Sequence, residues 1–126
     1  MDERLYRGLD EFNEGRFFEA HEVLEDLWHE YREVDRTFIQ GLIQIAAAYY
    51  HLQSSNFRGA ASQFTKGSEK LAQFLPFYKD VAVAGLLDDV RENLQRIRQA
   101  NQAGEDSFTY PKIQYSRVMN THISGS

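Results

Sequence analysis

The run from Phe38 to Gln53 constrains this chain more than any other stretch. Read as a helix, it carries Ile39, Leu42, Ile43, Ile45, Ala46, Ala48, Tyr49 and Tyr50 on nearly every side. A helix with no face left for water belongs in the middle of other helices. Gly41 and the run Ala46-Ala47-Ala48 keep it thin enough for neighbours to come close. Yet each residue of a helix advances by about 100°, which puts Gln40, Gln44 and His51 within a band of about 40°. Ala47 falls in the gap between them and leaves room beside the polar groups. Two amides and an imidazole in such a place must satisfy one another or face a shared cavity.

The flanking segments supply the neighbours. A first helix is predicted from Glu3 to about Glu14, with Leu5, Leu9 and Phe12 along one side and Gly15 as the left-handed residue that ends it. A second runs from Phe17 to about Tyr31, where Phe17, Ala20, Leu24, Leu27, Trp28 and Tyr31 form one apolar face. Asp35 is placed to cap the third helix, Arg36 to Gln53. After the turn Ser54-Ser55-Asn56, with Asn56 as cap, a fourth helix reaches Leu75 and stops at Pro76. Its Gly67 marks a bend or a close helix contact. The fifth helix, Val83 to about Ala103, is amphipathic through Leu86, Leu87, Val90, Leu94 and Ile97. Past Gly104 the periodicity fails, and Phe108, Tyr110, Ile113, Tyr115 and Val118 suggest an extended tail that packs back, with loose final residues.

The expectation is therefore an all-α fold, a compact bundle of about five antiparallel helices around a central apolar helix. At 126 residues it fits one domain, residues 1–126. Nineteen acidic and fourteen basic residues give a formal charge of −5, so nucleic acid is not an expected partner. The chain has no cysteine, which excludes disulfides, thiolate nucleophiles and thiolate metal sites. The start, Met-Asp-Glu-Arg-Leu, lacks the basic and apolar segments of a signal peptide. Gln40 and Gln44 also interrupt the one long apolar run, so no membrane span is expected and the cytoplasm is the expected location.

A second polar edge faces the first. His21 and Glu25 lie about 40° apart on the second helix, with Trp28 about 20° to the other side of His21, all bordering its apolar face. Three readings follow. In one, His21 or His51 donates to Glu25 and the glutamines bridge helices, a sealed network in a structural or protein-interaction module. A homodimer of that kind would show an exposed patch of Tyr, Phe or Leu on the first helix, the fifth helix or the tail. In the second, His21 and Glu25 are catalytic acid and base, the carboxylate holding the imidazole tautomer. Trp28, Gln40, Gln44 and His51 would then bind a small polar ligand. In the third, two imidazoles and a carboxylate hold a divalent metal, supplemented by Glu22 or His29. Against it, His21-Glu22-Val23-Leu24-Glu25 lacks the second histidine of the metalloprotease motif, and Glu22 and His29 point outward. No cofactor is indicated, and neither a nucleophile elbow nor a phosphate loop is present.

The same residues carry a family resemblance. The stretch Phe12-Asn13-Glu14-Gly15-Arg16-Phe17-Phe18-Glu19-Ala20-His21-Glu22-Val23-Leu24-Glu25-Asp26-Leu27-Trp28 resembles the signature of the all-helical family DUF309. So do Phe38-Ile39-Gln40-Gly41-Leu42-Ile43-Gln44, Tyr50-His51-Leu52 and, after Asn56, Gly59-Ala60. The likeness is strong from Leu5 to Leu75, and Tyr110-Pro111-Lys112-Ile113 matches a closing segment of such proteins. It implies a helical bundle found mainly in bacteria and archaea, and it brings no established activity, cofactor or partner. All six candidate residues fall within the matching motifs.

Overall fold

A computed structural model describes residues 2–103 and 108–116. Helices α1 (Glu3–Asn13), α2 (Phe17–Trp28), α3 (Glu33–Gln53), α4 (Phe57–Leu71) and α5 (Val83–Ala103) follow one another, each packed on the next. The all-α expectation holds. Leu5, Leu9 and Phe12 are buried on α1, whose first turn is capped by the Asp2 carboxylate accepting from the Arg4 N–H at 2.8 Å. Gly15 has φ +81°. The N–H of Gly15 meets the Phe12 carbonyl and that of Arg16 the Glu11 carbonyl, the paired bonds of a left-handed helix stop. Ser55, with φ +59°, closes α3 in the same way, and Asn56 caps α4 by accepting from the Gly59 N–H at 3.0 Å.

Helix α3 lies between α2 and α4, burying Phe38, Leu42, Ile45, Ala46, Tyr49 and Leu52. Against α4 the approach is close enough to need glycine on both sides. A Cβ on Gly67 would stand 3.0 Å from the Gly41 carbonyl oxygen, and one on Gly41 would stand 2.8 Å from Leu71. The close contact expected at Gly67 is there.

Several boundaries differ from the sequence reading. Helix α3 starts at Glu33, not Arg36, and Asp35 does not cap it. Asp35 sits inside the first turn, accepts from the Tyr78 hydroxyl at 2.5 Å and pairs with Lys79 at 3.5 Å. Helix α2 ends at Trp28, and α4 ends at Leu71, followed by one 3₁₀ turn, Ala72–Phe74. Leu75, expected as the last residue of that helix, lies beyond it and is exposed.

A two-stranded hairpin, β1 (Phe77–Tyr78) and β2 (Val81–Ala82), precedes α5 and was not anticipated. Strands of two residues are too short to show an alternating pattern.

The tail packs back over residues 108–116. Ile113 is buried, its N–H and C=O both bonded to the Asn13 amide, at 2.7 Å and 3.0 Å. Tyr115 stacks on Tyr6 and bridges to Val81. Asn93, fully buried, donates to the Tyr49 hydroxyl at 2.9 Å and the Thr109 carbonyl at 2.8 Å, and accepts from the Thr109 N–H at 3.2 Å. Val118 and the final segment lie outside the described residues.

Candidate functional site

Helices α2 and α3 are antiparallel neighbours, so the start of one lies beside the end of the other. Phe18 therefore meets Tyr50, ring centroids 5.4 Å apart, and Trp28 meets Arg36. Between Phe18, His21, Ala47, Tyr50 and His51 lies an open recess of about 200 Å³. Its shape follows from one small side chain. Ala47 occupies the point where a longer residue would fill the seam, as its place in the α3 stripe suggests.

Two of the six candidate residues, His21 and His51, line this recess. Phe18 and Tyr50 complete it, 44% and 41% exposed, with the Phe18 ring stacked on His21 at 6.2 Å. Neither ring was expected there, although Phe18, His21, Glu25 and Trp28 share one helical stripe. The other four candidates are placed differently. Glu25 turns outward, and its carboxylate stands 3.9 Å from His21 Nε2, beyond hydrogen-bonding distance. Gln40 and Gln44 do not line the recess. Trp28 is covered by the Arg36 guanidinium, 3.8 Å above its ring, a cation–π contact the sequence reading missed.

The sealed network is not formed. Among the described residues, no side-chain hydrogen bond joins Glu25, Gln40 or Gln44 to another group. Four buried side-chain atoms have no hydrogen-bond partner there: His21 Nδ1, Trp28 Nε1, Arg36 Nε and Gln44 Oε1. All four belong to α2 or α3. Each unmet group costs on the order of 1–3 kcal/mol, so the cost is concentrated on one pair of helices.

His51 alone among the six makes a side-chain bond of hydrogen-bond length, between its Nδ1 and Asn56 Nδ2 at 3.3 Å.

The metal reading finds no ligand set. Among the described residues, no three His, Asp or Glu side chains converge to hold an ion. Glu22 and His29 are exposed, as expected. No helix among those residues is long and apolar enough to cross a membrane.

A larger concavity, about 530 Å³, opens between the hairpin and the tail around Phe77, Lys79, Gln114 and Ser116. It holds none of the candidate residues and is mainly a gap between surface segments.

Residues 5–63, which run from α1 into α4, match the family described as Domain of unknown function (DUF309). The match ends short of the Leu75 limit read from the motifs, and it includes both helices of the recess. No curated protein matches the chain. Residues 5–63 of this helical chain therefore carry a DUF309 domain.

Proposed function

We propose that the chain is a binding module whose α2–α3 recess receives a small polar ligand. The observation that carries this reading is the recess itself, where two imidazoles and two half-exposed rings surround Ala47. Concave sites with a few polar groups among apolar walls are the usual form of a small-ligand site. The unmet Nδ1 of His21, one of the recess residues, supports it, since a chain built for stability alone would pair or remove such a group.

Binding is favoured over acid–base catalysis by the position of Glu25. A carboxylate that orients an imidazole must lie within hydrogen-bonding reach, and Glu25 stands 3.9 Å away and half exposed. No serine or threonine lines the recess to serve as a nucleophile.

The test is a plug. Ala47→Phe fills the recess without disturbing the core side of α3, so its stability should stay within about 0.5 kcal/mol of the parent. A thermal-shift screen of single-ring compounds should give hits with the parent chain that vanish with Ala47→Phe. Equal shifts in both, or none in either, would overturn the reading. His21→Ala should likewise cost less than about 1 kcal/mol in denaturant unfolding; a cost of about 2 kcal/mol or more would restore the structural-network reading.

A second reading rests on Phe18 and Tyr50, whose exposed rings form an apolar edge suited to a homo-oligomer contact. The edge lies on α2 and α3, not on α1 or α5. Of a Tyr, Phe or Leu patch on α1, α5 or the tail, Tyr110 is the only exposed ring among the described residues. Sedimentation of Phe18→Ser beside the parent decides this reading. A parent dimer that dissociates on substitution supports it, and a monomeric parent removes it.

A further inference from the structure

His51 lines the recess, and its ring tautomer is set from outside. Asn56 Oδ1 accepts from the Gly59 N–H at 3.0 Å, which fixes which way the amide points. Its Nδ2 then faces His51 Nδ1 at 3.3 Å. An amide NH₂ can only donate, so Nδ1 is the acceptor and the neutral ring carries its proton on Nε2. The arrangement has room for one residue type at position 59, because a Cβ there would stand 2.7 Å from Asn56 Nδ2 and 3.0 Å from its Cγ. The Asn56 N–H also bonds the His51 carbonyl at 2.8 Å, so backbone and side chain hold the pair in register. Among the described residues, the Nε2–H has no partner.

The walls add a shape to this donor. Phe18 and Tyr50 offer aromatic surfaces and Ala47 a small floor, and the volume of about 200 Å³ is that of one ring with a substituent. An apolar cavity of about 150 Å³ already holds benzene. The formal charge of −5 and the Glu25 carboxylate beside His21 disfavour an anion. Resting on the binding reading above, we propose that the recess takes a neutral planar ring bearing a hydrogen-bond acceptor, which accepts from His51 Nε2–H. Asn56 is the positioning residue that fixes the tautomer.

Three probes separate the requirements: benzamide (ring and acceptor), toluene (ring alone) and cyclohexanecarboxamide (acceptor on a puckered ring). Long-range ¹H–¹⁵N spectra of the parent chain should show the His51 proton on Nε2. Benzamide should bind about five- to tenfold more tightly than toluene, as one hydrogen bond is worth about that factor, and more tightly than cyclohexanecarboxamide, whose puckered ring cannot stack on the aromatic walls. Asn56→Asp keeps an oxygen for the Gly59 N–H while its second oxygen accepts from Nδ1–H. It should move the proton to Nδ1 and reduce benzamide to the level of toluene. His51→Phe, which keeps a ring and removes the donor, should also reduce benzamide to the level of toluene without removing the Asn56 cap of α4. A His51 proton on Nδ1 in the parent, or equal binding of benzamide and toluene, would overturn the ligand class while leaving the recess a binding site. No binding by any probe, with no ring compound found in the wider screen, would overturn both.

Discussion

Helix α3 treats polar groups in opposite ways on its two sides. Toward α5 and the tail, the Tyr49 hydroxyl is met by Asn93, which also meets the Thr109 backbone twice, and every polar group of the cluster is paired. Toward α2, Gln44, Arg36, Trp28 and His21 each leave a buried atom unmet. The α4 side is also closed, with Gly41 and Gly67 bringing two backbones together. One helix thus has a finished side and an unfinished one. On the binding reading proposed above, the difference separates where stability and where binding are invested, since a buried polar group without a protein partner is met by water or a ligand or else costs stability.

Substitutions that strike the finished side should be the most damaging. Gly67→Leu forces a branched side chain against Ile45 and the Gly41 carbonyl and should cost about 3 kcal/mol in denaturant unfolding. A cost under about 1 kcal/mol would mean that the two helices can separate freely. Asn93→Ala should cost about 2 kcal/mol by leaving the Tyr49 hydroxyl and the Thr109 groups unpaired. It should also speed proteolysis of the tail.

The unfinished side should respond with the opposite sign. Gln44→Met keeps the length of the side chain and removes the orphan carbonyl, so it should stabilise by about 1 kcal/mol. A destabilisation of that size would mean that the amide is paired in solution and would erase the contrast.

A further effect, seen only in alkali, lies at the α3 start. The Tyr78 phenol is pushed up to about 12 from 10.0, first by its bond to Asp35 and then by burial. Below pH 10 it is protonated in both folded and unfolded chains, and the contribution is complete. As pH rises from 10 toward 12, the unfolded phenol ionises before the folded one and that contribution is lost. Tyr78→Phe should therefore flatten the alkaline fall in stability relative to the parent. Parallel curves would show that other tyrosines govern it.

Much of this was legible in the sequence. The all-round apolar pattern placed α3 at the centre, and Gly15, Asn56 and Gly67 each announced their roles through backbone chemistry. Ala47, the small residue in the polar stripe, lies in the recess. What failed was the step from a helix face to the neighbour that covers it. Gln40, Gln44 and His51 share a stripe, yet only His51 reaches the recess, because periodicity gives direction around one axis and not the offset of the next helix. Arg36 over Trp28 depends on where α2 ends and α3 begins, and both limits lie a few residues from the expected ones. The asparagine clamps were silent because Asn13 and Asn93 reach chain segments distant in sequence.

The central claim is that the α2–α3 seam keeps a recess for a ligand, and intermolecular NOEs test it most directly. With benzamide at saturation, its ring protons should show contacts to the Ala47 methyl and to the Phe18 and Tyr50 rings. Contacts confined to the hairpin and tail around Phe77 and Gln114 would contradict it.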